Sequence, residues 1–231
     1  MARKNRVPRG FTLVEMAVVV SIIAILAALA SEEIGRQKPR ATLSSTSAQL
    51  QSIIHYARQS ALGSGVNVAV MIFPDFVTGT NRTGRVIVYQ DGTFDLFTGG
   101  ATGGVDFATY DPSTLRTGTK GVVLTTMDLP LGIVIGPPAG MGSAATLAAP
   151  LNNISVNSFC SFCRAGADNR GAIMFGPSGS PTFYGSQSAG VDTPVPVTGG
   201  ASLSLQSPIL SGQQTVVITT PAGAIQVIKN G

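Results

Sequence analysis

The chain has 231 residues, of which 44% are hydrophobic and only 11% charged, with 28 Gly and 14 Pro. So much Gly and Pro excludes an all-helical bundle, and high apolar content at small net charge excludes a disordered chain. The formal charge of +4 is local: Arg3, Lys4, Arg6 and Arg9 precede the first acid, and Phe11 onward carries as many acids as bases.

Residues 1–10 therefore form a basic leader, and Phe11 to Ala30 is an apolar run broken only by Thr12, Glu15 and Ser21. Twenty helical residues span roughly 30 Å, the hydrocarbon thickness of a bilayer. Basic residues before the run and Glu32, Glu33 after it predict a single pass, with the N-terminus in the cytoplasm and the remainder outside. One processing route is a secretory signal peptide cut after Ala28-Leu29-Ala30, releasing a β domain that begins at Ser31. Glu15 argues for another route: a carboxylate in a membrane segment costs a few kcal/mol, marks a functional position and needs a partner.

Arg9-Gly10-Phe11-Thr12-Leu13-Val14-Glu15 before an unbroken apolar run resembles the N-terminus of type IV pilins and type II secretion pseudopilins. The resemblance implies cleavage after Gly10 by a prepilin peptidase and N-methylation of Phe11. It also gives Glu15 a partner, the terminal ammonium of a neighbouring subunit in a staggered helical filament, since a paired buried charge costs far less than a lone one. Other pilins or pseudopilins and an inner-membrane assembly platform are the implied partners, and the inner membrane and then the filament the implied locations.

Past Ala30 the helical period continues. Leu43, Leu50, Ile54, Ala57 and Ala61 form one stripe, and Gly63-Ser64-Gly65 supplies a stop. The spacing predicts a helix over 11–64, transmembrane over 11–30 and amphipathic over 31–64, with Gly35 and Pro39 as points where it bends or breaks. His55, the only His, reads as a packing or surface residue.

Residues 65–231 predict a β-rich head, giving an α+β chain overall. Val66 to Phe73 reads as a strand covered on at least one side. Arg85–Gln90 and Thr93–Phe97 about Asp91-Gly92 read as a hairpin, as do Gly171–Phe175 with Pro181–Tyr184 and Thr215–Thr219 with Ala224–Ile228. Gly121–Met127 and Gly132–Ile135 are further strands, and 137–150 and 192–200 are loops. Arg170 to Gly179 and the closing strand pair resemble the GspH/FimT group of minor pilins and pseudopilins. Some of that group bind DNA through arginines in the last hairpin; here residues 221–230 hold a single Lys, too little positive charge for phosphate binding.

Cys160-Ser161-Phe162-Cys163 is the only cysteine pair. A redox dithiol, half of a zinc site and a disulfide are the alternatives. Zinc lacks further ligands and a thioredoxin-like βαβ pattern is missing, so in an oxidising compartment the disulfide is the reading taken. Asp91, Asp95, Asp106 and Asp111 are scattered through turns. No nucleophile, phosphate-loop or metal motif stands out, so neither enzyme activity nor a cofactor is expected. The expectation is a minor pilin or pseudopilin subunit that primes assembly at or near a filament tip.

Overall fold

The computed structural model describes residues 11–78, 81–82, 84–93, 96–97, 105–115, 117, 121–136, 160–163, 169–185, 200–210 and 214–230. Among these residues one helix, α1 (Leu13–Ser64), precedes eleven strands: β1 (Asn67–Phe73), β2 (Val77–Thr78), β3 (Asn81–Arg82), β4 (Arg85–Asp91), β5 (Gly121–Asp128), β6 (Val134–Ile135), β7 (Gly171–Phe175), β8 (Pro181–Gly185), β9 (Ala201–Gln206), β10 (Gln214–Thr219) and β11 (Ile225–Asn230). This is the expected α+β class, one long N-terminal helix and a β-rich head.

Helical structure is not terminated at Gly35 or Pro39, which lies inside α1. The helix stops at Gly65, whose φ of 68° suits a residue without Cβ and whose N–H closes back on the Ala61 carbonyl. The chain divides into two compact units, 1–38 and 39–231, so the boundary falls within α1.

In the second unit two antiparallel sheets share a core with the amphipathic part of α1. The larger has the order β5-β4-β1-β7-β8 and the smaller β11-β10-β9-β6, while β2 and β3 pair alone. Val68, Val70, Ile72, Val88, Ile173 and Phe175 face the first core. There they meet Leu50, Ile54, Ala57 and Ala61 of α1 and Leu203, Leu205 and Val217 of the smaller sheet. The alternate positions Ala69, Met71, Phe73, Ile87 and Tyr89 face a second cluster with Leu96, Phe97, Val105, Phe107 and Tyr110 from the β4–β5 connection. The uninterrupted apolar run of β1 follows directly, since a strand buried on both faces has no polar position to fill.

Both later hairpins form as expected, β5 runs one residue past its expected end, to Asp128, and β6 falls within its expected run. The hairpin about Asp91-Gly92 does not form. β4 pairs with β1 and β5, and Leu96 and Phe97 lie in a turn. The cause is Asp91: it ends β4, and its buried carboxylate accepts the N–H groups of Thr93 and Leu96, curling the chain instead of returning it as a strand. Residues 137–150, read as a loop, lie outside the described residues, as do 192–199 of the second expected loop.

Candidate functional site

The N-terminal segment is built around a helix start. Thr12 precedes α1 and Glu15 is its third residue, the spacing of a reciprocal cap. The Thr12 N–H and Oγ1–H both donate to Glu15 Oε2 at 2.9 Å, and the Glu15 N–H donates to Thr12 Oγ1 at 3.3 Å. Two of the orphan donors of a helix N-terminus are thus satisfied by two side chains. Thr12 is the residue whose role the sequence reading missed, although Thr-x-x-Glu before an apolar run is its printed signature.

From Phe11 to Leu29 every side chain is exposed, Phe11 by 81%, and the exposed set includes Val18, Val19, Val20, Ile22, Ile23, Ile25 and Leu26. Ser21 returns its hydroxyl to the Ala17 carbonyl at 2.8 Å, leaving no unpaired donor on the apolar face. An apolar surface of this extent marks a partner face. Among the described residues no helix is long and apolar enough to cross a membrane. The run Leu13–Leu29, to which described side chains extend, reaches about 26 Å at 1.5 Å per residue. Gly10, the residue before the expected cut, lies outside the described residues.

In the head, the amphipathic helix reads two hairpin tips through one side chain. Arg58 donates from Nε to the Gly179 carbonyl (3.1 Å), from Nη1 to Gly223 O (2.9 Å) and from Nη2 to Ala222 O (3.3 Å). Gly179 and Gly223 have φ of 74° and 76°, and a Cβ on Gly223 would come within 2.9 Å of the Gly179 carbonyl. Arg58 stands outside the apolar stripe legible in the sequence, and no local pattern reports contacts with residues more than 100 positions away.

Cys160 and Cys163 form a disulfide with Cα atoms 5.2 Å apart. Cys160 bridges to Leu203 of β9, and Ser161 exchanges hydrogen bonds with Ser202, its N–H to the Ser202 carbonyl and the Ser202 N–H to its Oγ, both at 2.9 Å. The small ring thus continues the edge of the smaller sheet. Asp106 and Asp111 each accept a local backbone N–H, from Ala108 and Ser113, so both carboxylates shape turns. Among the described residues no cluster of His, Cys, Asp or Glu could hold a metal ion.

Comparison with known proteins bears on one end of the chain. Residues 5–31 match the family described as the prokaryotic N-terminal methylation motif. The chain thus carries a type IV pilin-like prepilin signal at its N-terminus, ahead of an α+β fold. No curated protein and no solved structure matches the chain.

Proposed function

We propose that this chain is a minor pilin or pseudopilin of the GspH/FimT kind, with a structural rather than an enzymatic role. Prepilin peptidase cuts between Gly10 and Phe11 and methylates the new Phe11 amine. The helix then anchors the subunit as a single pass in the inner membrane, with the head outside the cytoplasm, until the assembly platform draws it into a type IV pilus or type II secretion pseudopilus. The large head, stapled by Cys160–Cys163, suits a priming or tip subunit, and the resemblance of residues 170–179 supports the subgroup.

The observation that carries this reading is the prepilin signal running into a helix with every described side chain exposed from Phe11 to Leu29. A helix of that kind is stable only with lipid or like helices around it. Glu15 fits the same role. Both Thr12 donors use Oε2, which leaves Oε1 for the ammonium of a neighbouring Phe11.

Intact mass and N-terminal peptide analysis of the mature protein should give a chain starting at N-methylated Phe11. A chain starting at Ser31 would remove anchor and Glu15 together and overturn the proposal. Glu15→Ala should be cleaved normally and lost from filaments; normal incorporation would end the charge-pairing account.

A further inference from the structure

The two sulfurs of the Cys160–Cys163 ring stand in different surroundings. Cys160 is 2% exposed, lies in the core with Phe162 and Leu203, and is bridged to Leu203 on β9. Ser161, the next residue, holds Ser202 of the same strand by two hydrogen bonds. Cys163 is only half-buried, at the margin of that core. Its Sγ lies where β7 offers a glycine: a Cβ on Gly171 would come within 2.5 Å of the sulfur and 2.9 Å of the Phe162 ring. One end of the ring is thus tied to the smaller sheet through its backbone, and the other rests a sulfur on the larger sheet.

A further contact crosses the ring. The Cys163 N–H donates to Cys160 Sγ at 3.1 Å. A disulfide sulfur accepts such a bond weakly, whereas a charged acceptor takes a shorter and stronger one. The contact therefore strengthens if the ring opens with the charge on Cys160. Burial opposes a charge there, and this N–H is the group that offsets it.

These differences assign roles in thiol–disulfide exchange. A thiolate must reach one sulfur, and the other must leave with the electron pair. The core closes the approach to Cys160, while Cys163 stands at its margin. Departure is favoured at Cys160, where an N–H waits for the charge. After opening, the bridge to Leu203 and the Ser161–Ser202 pair keep Cys160 in place, so Cys163 is the end that carries a mixed disulfide outward.

We propose that the Cys160–Cys163 ring is a thiol–disulfide exchange site for a dithiol partner, with Cys163 the sulfur attacked and Cys160 the sulfur that leaves. A thiolate of the dithiol forms a bond to Cys163 Sγ, the Cys160–Cys163 bond breaks, and its electron pair departs on Cys160. The second thiolate of the dithiol then attacks its own sulfur in the mixed disulfide and displaces Cys163. The dithiol is oxidised by two electrons, the ring is reduced by two, and the two protons given up by the dithiol end on the two cysteines. Run backwards, the same steps close the ring: Cys163 attacks the disulfide of the oxidised partner and Cys160 displaces it. The inference does not depend on the filament role proposed above.

Glutathione, a monothiol, stops the reaction at the mixed disulfide. Full-length oxidised protein in detergent would be treated with excess glutathione, quenched with acid, and its free thiols blocked with N-ethylmaleimide. Chymotryptic cleavage after Phe162 separates the two cysteines for mass spectrometry. Glutathione should be found on Cys163 and maleimide on Cys160, in preference to the reverse by about tenfold or more. Reduced Cys160→Ser should likewise take up glutathione from glutathione disulfide faster than reduced Cys163→Ser, with both variants matching the reduced native chain in urea midpoint. Equal labelling of the two sulfurs, or a preference for Cys160, overturns the assignment of roles. Trapping seen only at urea concentrations that unfold the head overturns the site itself, because the ring is then a sealed staple.

Discussion

Arg85 is the side chain on which most local structure at one end of the larger sheet depends. It bridges Asp128 through Nε and Nη2, donates from Nη1 to the Pro112 carbonyl at 2.7 Å, and stacks 4.1 Å above the Phe76 ring. A planar guanidinium can serve all three partners at once, which a Lys cannot. The hydrogen bonds from Arg85 hold the Asp128 carboxyl below the ordinary carboxylate range, burial opposes them, and the Arg85 charge adds the smallest contribution. A depressed folded-state pKa contributes stability above the unfolded value, near pH 4, and that contribution is lost as pH falls through the folded value. Asp128 is about half exposed, so solvent screening limits the pair to about 1 kcal/mol. Asp128→Asn should lower the thermal midpoint at pH 7 and lower it less at pH 2–3, narrowing the gap between the two. An equal drop at both pH values would mean that the side chain acts through packing and not through its charge.

At the scale of elements, Arg58 joins three of them: α1, the β7–β8 tip and the β10–β11 tip. All three accepting carbonyls belong to turns, where strand pairing leaves them without a ladder partner. Removing the guanidinium strands the Gly179 and Gly223 carbonyls in a part-buried site, at about 1–3 kcal/mol for each that water cannot reach, while the exposed Ala222 carbonyl turns to solvent. Arg58→Ala should therefore cost about 2–3 kcal/mol in urea unfolding, and Arg58→Lys should recover only part of it. Gly223→Ala should be comparably damaging, because it forces a positive φ on a residue with a Cβ and drives that Cβ against the Gly179 carbonyl. Full stability of Arg58→Ala would show that the tips are held by the core alone. The strands that were legible in sequence are those whose signal is local. Gly176 to Gly179 and Pro221 to Gly223 are turn chemistry, and β1 is an apolar run. β9 was not foreseen although Ala201-Ser202-Leu203-Ser204-Leu205 alternates cleanly, and the alternation would in any case have suggested a half-exposed strand, whereas Ser202 and Ser204 are at 0% exposure. The failed hairpin at Asp91-Gly92 has the same origin. Asp-Gly encodes a turn, but which strands flank it is decided by a carboxylate turned inward and by the aromatic cluster that the β4–β5 connection brings over the sheet. At the N-terminus the apolar run and Glu15 were plain, whereas Thr12 was passed over as a break in hydropathy.

For the whole head, the question is whether a single covalent staple or the two cores hold it together. The Cys160–Cys163 disulfide closes a loop with a separation of only three residues. In the chain-entropy account so small a loop contributes about 2 kcal/mol. The cores bury Phe97, Phe107, Phe162, Phe175, Leu50, Ile54 and Ile173 almost completely. Deleting one such aromatic side chain ordinarily costs 3–5 kcal/mol. Phe175 is the more telling position because β7 is buried on both faces, so its neighbours cannot close around a void without disturbing strand pairing on either side. The ranking that follows is specific. Reduction should lower the urea midpoint by less than Phe175→Ala does, and the reduced chain should still unfold in one cooperative transition. The Cys160–Leu203 bridge and the paired Ser161–Ser202 hydrogen bonds should keep the ring on the sheet edge without the covalent bond. Hydrogen exchange at Ser161 and Ser202 in the reduced protein tests that part directly, with retained protection as the expected result. Global unfolding on reduction alone would place the stability of this head in its staple and not in its two cores.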